Sequence, residues 1–132
     1  MHIDGRCHCG AIRFTAEIDP NGVTLCHCTD CQVMSGSAFR TIVAAPIASF
    51  RLEGAPKAYV KVADSGSRRA QAFCPECGTP LYGSAIENPT SVTIRLGCVA
   101  QRDQLPPVTH IWQRSAVPWL GDLRDFGDSP AR

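Results

Sequence analysis

Seven of the eight cysteines in this 132-residue chain fall into three tight groups, and that spacing limits what the chain can fold into more than any other feature. Cys7 and Cys9 form C-x-C, Cys26, Cys28 and Cys31 form C-x-C-x-x-C, and Cys74 and Cys77 form C-x-x-C. A tight backbone turn aims the sulfurs of such a group at one point, which suits a metal with M–S near ~2.3 Å. Gly10 after Cys9 and Gly78 after Cys77 help those turns, and Cys74-Pro-Glu-Cys-Gly78 has the form of a zinc-ribbon knuckle. Thiolates also suit iron–sulfur clusters, but the ferredoxin spacings are absent, so zinc is the expected ion. Buried thiols gathered by packing are the plain alternative, and packing alone has no reason to set three groups at turn spacing.

Disulfides would need an oxidising compartment. The opening Met1-His-Ile-Asp-Gly-Arg-Cys-His-Cys-Gly10 contains no apolar leader. The longest apolar stretch, Ile42 to Ala48, is interrupted by Pro46 and is too short to cross a bilayer. A soluble, cytoplasmic protein with reduced, metal-binding thiols is therefore expected. With 44% hydrophobic and 19% charged residues the chain has the makings of a packed core. A net charge of +1 offers no field to recruit nucleic acid or an acidic membrane, so neither is an expected partner.

Ligand arithmetic goes further. A structural zinc is closed by four protein ligands, whereas a catalytic zinc keeps one position open. Seven cysteines divide as four and three. Cys7, Cys9, Cys74 and Cys77 would close a structural site tying the first strand to a distant hairpin, and Cys26, Cys28 and Cys31 would hold a second zinc with one free position. Cys98 stands apart after Gly97. It reads first as a small buried core residue, with a reactive thiol and a fourth ligand for the triplet as the other readings. The last would close both sites and leave no metal catalysis.

Between the cysteines the pattern has period two. Ile12, Phe14, Ala16 and Ile18 alternate with polar residues, and similar runs lie at 38–44, 50–53, 57–63, 69–74, 91–97 and 108–113, separated by Gly-, Pro- and Asn-rich turns. Many short strands predict an all-β domain of meanders. The single expected helix is short, from Thr29 to Met34, with Gly36 as its cap. One domain over residues 1–120 and a polar, fraying tail over 121–132 complete the expectation.

Taken together, these residues resemble the glutathione-dependent formaldehyde-activating enzyme family, which also includes centromere protein V. The likeness spans roughly residues 5 to 120. Gly5-Arg-Cys-His-Cys-Gly-Ala-Ile-Arg-Phe14 resembles the opening motif, and Cys26-His-Cys-Thr-Asp-Cys31 with Ser35-Gly-Ser-Ala-Phe39 the metal-binding triplet and its turn. Arg69 with Phe73-Cys-Pro-Glu-Cys-Gly-Thr79 is similar to the second knuckle, and His110-Ile-Trp112 with Pro118-Trp119 to the closing segment. Where the family commonly continues Gly-x-Leu-Asp, this chain reads Gly97-Cys-Val-Ala100, a departure in the substrate wall.

The resemblance implies a mainly β, β-tent zinc-binding fold of short antiparallel strands with minimal helix. It implies two zincs, a closed structural one at Cys7, Cys9, Cys74 and Cys77 and a labile, substrate-facing one at Cys26, Cys28 and Cys31, with Cys98 outside both. The activity implied is that of a carbon–sulfur lyase, the reversible addition of the glutathione thiol to formaldehyde to give S-hydroxymethylglutathione. Glutathione has two carboxylates, which arginine grips with paired hydrogen bonds. Arg40, Arg68, Arg69 and Arg114 are the candidates, with Arg40 and Arg69 placed at the substrate. Any one arginine taken singly reads more simply as solvated surface.

The remaining polar and aromatic residues have blander readings. His27 and His8 are spacers between ligands, with a proton relay as the alternative for His27. Asp30 is a helix cap, and Trp112 and Trp119 are core or edge packing. Three rival classes stand beside the enzyme. A non-catalytic zinc module for protein interaction would have both metal sites closed. A nucleic-acid binder would need a basic stripe. A relative of the methionine sulfoxide reductases would use Cys98, but those hold zinc with two C-x-x-C pairs.

Overall fold

The computed structural model describes residues 1–121 together with Phe126 and Gly127, so most of the expected tail lies outside the described residues. In chain order the strands are β1 (His2–Arg6), β2 (Arg13–Glu17), β3 (Thr24–Cys26), β4 (Arg40–Pro46), β5 (Arg51–Glu53), β6 (Lys57–Val62), β7 (Arg68–Phe73), β8 (Pro80–Ala85), β9 (Ser91–Arg95) and β10 (Thr109–Ile111). They form a three-stranded sheet in the order β1-β2-β5 and a seven-stranded sheet in the order β10-β3-β4-β9-β8-β7-β6. One helix, α1 (Thr29–Ser35), follows β3. The fold is mainly β, as expected.

Alternation explains where the core sits. Ile3 and Gly5 of β1 pair with Ala16 and Phe14 of β2 and turn toward the larger sheet, where Val43, Ala45, Val92, Ile94 and Leu81 meet them in one buried cluster. The opposite face of the larger sheet is polar. Across it run Arg40 of β4, Arg95 and Thr93 of β9, Gly83 of β8, and Gln71 and Arg69 of β7, residues kept on one face by the antiparallel register. That face carries the candidate site.

Three strands lack a clear signal in the sequence. β1 turns a glycine inward at Gly5, β3 is three residues long, and β8 opens on Pro80 and contains Gly83, both of which read as breakers. Pro80 is tolerated because it occupies the first strand position, where no ladder donor is needed. The antiparallel expectation holds for every strand pair but one: β10 lies parallel to β3, with Ile111 opposite Cys26. It returns along that edge after a chain segment that carries Cys98 and the buried Leu105 across the molecule.

Gly5 is fixed by space. A Cβ placed there would lie 2.3 Å from the Phe14 ring and 2.7 Å from the Cys98 carbonyl oxygen. The backbone is close because Gly5 bridges Val99 and Ala100 donates to the Asp4 carbonyl at 2.8 Å. Overpacking with only one movable neighbour costs about 3 kcal/mol. Gly5→Ala is therefore expected to lower the denaturation free energy by that amount, read from urea unfolding, and a change under about 1 kcal/mol would contradict this packing.

Candidate metal centres and the cleft between them

The loop after β1 and the hairpin between β7 and β8 are built alike. Gly10 donates to the Cys7 carbonyl at 3.1 Å and Gly78 to the Cys74 carbonyl at 2.8 Å. The two glycines have φ of 82° and 78°, the left-handed region that other residues seldom enter. Cys7 then donates to the Ile12 carbonyl and Cys74 to the Thr79 carbonyl, each at 3.0 Å. Thr79 joins the two turns: its hydroxyl accepts from the His8 amide at 3.1 Å and lies 3.1 Å from the Cys77 sulfur. His8 itself faces outward, as a spacer should.

These turns bring Cys7, Cys9, Cys74 and Cys77 together with all four sulfurs within 4.8 Å of one another. Cys7 and Cys9 are 3.6 Å apart and Cys9 and Cys74 3.8 Å. Sulfurs bound to zinc at ~2.3 Å stand about 3.8 Å apart at tetrahedral corners, whereas a disulfide needs ~2.05 Å. All eight cysteines are free thiols. The donor set and its spacing fit a metal ion.

Cys26, Cys28 and Cys31 form the second group, again within 4.8 Å. Cys26 ends β3, and the other two belong to the first turn of α1. The expectation that Asp30 caps this helix is corrected: Cys28 is the cap, and its sulfur accepts the Cys31 amide at 3.3 Å. Asp30 instead pairs with Lys61 at 2.6 Å, anchoring α1 over β6. Gly36 takes the C-terminal cap with φ of 65°, as expected. Burial, then hydrogen bonding with Cys26 and Cys28, pushes the Cys31 thiol up to about 12. Three sulfurs so placed could hold a metal ion, which would keep them as thiolates.

No fourth histidine, cysteine or carboxylate joins this triplet among the described residues. Cys98 lies elsewhere. It occupies a 3-10 turn after β9, donates to the Pro80 carbonyl at 3.0 Å, and has its thiol pushed up to about 11 by burial. The reading of Cys98 as a small buried core residue holds in part: it packs half-buried against the core cluster and also lines an open cleft.

His27 points away from the sulfurs. Its ring is buried, stacks on His110 at 5.2 Å and shares a 2.9 Å hydrogen bond with it, while burial pulls its pKa down. With the His27 amide donating to the Ile111 carbonyl at 3.1 Å, it fastens β10 to β3. Trp112 and Trp119 are 52% and 58% exposed, which removes core packing and leaves edge packing of their two readings.

Of the arginine candidates, the structure brings Arg40 and Arg69 to the triplet. Both line a pocket of about 190 Å³ shared with Cys28 and Cys31. Arg40 is the register partner of Cys26 across β3 and β4. Arg68 pairs instead with Glu87 at 3.7 Å, and Arg114 lies over the Trp112 ring at 4.8 Å. Arg95 was not singled out from sequence, yet it is central. It is buried, lines the same pocket, donates to Gln71 and to the Thr93 carbonyl, and leaves its Nε unpartnered. Burial, followed by repulsion from Arg40, pulls its pKa down to about 10. A Cβ at Gly83 would lie 3.0 Å from this guanidinium, so the missing side chain gives it room. An arginine on the strand face away from the core was the available signal.

Arg40 and Arg95 also line a larger cleft of about 1110 Å³, which Cys7 of the first group and Cys98 border as well. Among the described residues no helix is long and apolar enough to cross a membrane.

Residues 2–115 match the sequence model of the family described as glutathione-dependent formaldehyde-activating enzyme. No curated protein matches the chain. Among solved structures, a crystal structure of a Rhodobacter sphaeroides protein superposes with a TM-score of 0.62 at 20% identity, over 81% of this chain and 98% of that one. At that identity it is a likeness of fold.

Proposed function

Because the chain belongs to the glutathione-dependent formaldehyde-activating enzyme family, we propose that it is a zinc-dependent carbon–sulfur lyase acting on the adduct of formaldehyde with glutathione or a similar thiol. The observation that carries this reading is the convergence of three cysteine sulfurs with no fourth protein donor among the described residues, beside a pocket lined by arginines. In the proposal, Cys7, Cys9, Cys74 and Cys77 hold a structural zinc, Cys26, Cys28 and Cys31 hold the catalytic one, and residues 1–120 act as one domain in a reducing, cytoplasmic setting.

Cys26, Cys28 and Cys31 would hold the zinc, which would supply Lewis acidity toward an incoming thiol without the excess positive charge of a strong hydrolytic centre. The chain's own residues do the positioning. Arg40 and Arg69 offer paired donors to substrate carboxylates, and Gln71 holds the Arg95 guanidinium in place between them. In the addition direction a carbon–sulfur bond forms, and the proton lost by the thiol ends on the former carbonyl oxygen. Holding both partners in one pocket removes part of the entropic barrier.

The test joins metal counting to exchange kinetics. Two zincs per chain are expected, and magnetisation-transfer NMR should show accelerated exchange between formaldehyde and its glutathione adduct. An unaltered exchange rate at full metal loading, over a panel of small thiols, would remove the activity.

A further inference from the structure

The large cleft is more positive than anything the proposed reaction asks of it. Arg6, Arg13, Arg40, Arg51, Arg95 and Arg102 all line it. Only two carboxylates, Asp4 and Glu53, do so, and Asp4 already accepts a 2.6 Å hydrogen bond from Gln101. The chain as a whole has a net charge of only +1, so this concavity, with six arginines against two carboxylates, is more positive than the whole molecule. None of the six makes an ion pair among the described residues, where the paired cations are the N-terminus, His2, Lys61 and Arg68.

Two of the six cannot be explained as solvated surface. Arg40 and Arg95 are 7% and 8% exposed, repel one another, and have cysteine sulfurs as their anionic neighbours, Cys31 for both and Cys98 for Arg95 as well. Three thiolates around a divalent metal leave one negative charge, which offsets one guanidinium and not both. A concavity lined by one sign of charge also concentrates the field and raises the local concentration of counter-ions. Glutathione, with two carboxylates and one ammonium, carries one net negative charge near neutral pH. That is too little to balance the wall.

We propose that this cleft seats a polyanionic substrate: a thiol, or its adduct with a carbonyl compound, whose body carries three or more negative charges as phosphate or carboxylate groups. That the ligand is a thiol rests on the lyase reading above. That it is a polyanion rests on the cleft alone. Arg40 and Arg95 hold the charge nearest the sulfurs, and Arg6, Arg13, Arg51 and Arg102 hold the charge at the mouth. The cleft is also large enough for a body bigger than a tripeptide.

Calorimetry on the zinc-loaded protein tests this with probes that carry no free thiol: fructose 1,6-bisphosphate, propane-1,2,3-tricarboxylate and glutathione S-methylated to remove its zinc-binding thiol, in about 20 mM salt, where charge is little screened. At least one of the two polyanions is expected to bind about tenfold or more tighter than S-methylglutathione. That margin should collapse in about 0.5 M salt, and the tighter probe shows whether phosphate or carboxylate is preferred. Arg13→Gln with Arg102→Gln, both at exposed positions, should weaken that probe about tenfold with an unchanged melting midpoint. Arg6→Gln with Arg13→Gln serves as a second variant. S-methylglutathione binding as tightly as both polyanions, or affinities that neither double variant moves, would overturn the proposal. Neither polyanion is a thiol, so the titration reads the cleft apart from the chemistry. A protein that binds them but fails the exchange assay loses the lyase reading and keeps this one.

Discussion

Cys74→Ala is expected to abolish cooperative folding rather than lower activity. Cys74 is fully buried and belongs to the β7–β8 hairpin, where its sulfur meets those of the loop after β1 and the His8–Thr79 hydrogen bond joins the same two segments. Metal closure of such a site contributes on the order of 10 kcal/mol, comparable with the whole net stability of a domain, about 5–15 kcal/mol. The variant should retain one zinc or fewer and show no sigmoidal melt by near-ultraviolet circular dichroism. Prolonged treatment of the parent with a strong chelator should give the same trace. A cooperative transition within a few degrees of the parent would show that the four sulfurs are incidental to folding.

Cys28→Ser should do the reverse. The Cys28 sulfur caps α1 by accepting the Cys31 amide, and serine is among the best residues for that duty. The helix therefore survives, and the melting midpoint should move by about 3 °C or less. The soft ligand does not survive, because a hydroxyl is a poor substitute for thiolate toward zinc. Exchange catalysis should fall about a hundredfold, with zinc content dropping from two to one. Loss of activity together with loss of the fold would mean that the triplet is structural. Full activity with one zinc would mean that the chemistry lies elsewhere.

These two results separate the sites that the sequence divided by counting. The division was legible because ligands on tight turns are local: C-x-C and C-x-x-C carry their geometry within a few residues, and Gly10 and Gly78 announce the left-handed backbone that closes the turns. The strands with clean alternation, such as β2 and β9, were legible for the same reason. What stayed hidden depends on distant partners. Gly5 looks like a strand breaker until Phe14 and the Cys98 carbonyl are seen to fill the space beside it. Gly83 looks like a defect in β8 until the Arg95 guanidinium is found opposite. Cys98 has no local pattern, and only the fold shows that it faces the cleft and not the triplet. Asp30 lost the capping position to Cys28 because the sulfur lies one helical turn before Gln32, whose amide closes the helix on the Cys28 carbonyl at 3.0 Å.

The parallel seat of β10 against β3 has a consequence for how the chain is made. β3 holds the first sulfur of the triplet, and its outer edge stays open until His110 and Ile111 arrive. On a ribosome, at roughly 5–20 residues per second, that edge waits several seconds after Cys26 has emerged. During this interval the nascent triplet is bordered by unpaired amides and carbonyls, a template for mispairing with other chains. The last strand among the described residues is thus a guard for the first sulfur of the triplet, and a product truncated before residue 109 would leave that guard off permanently.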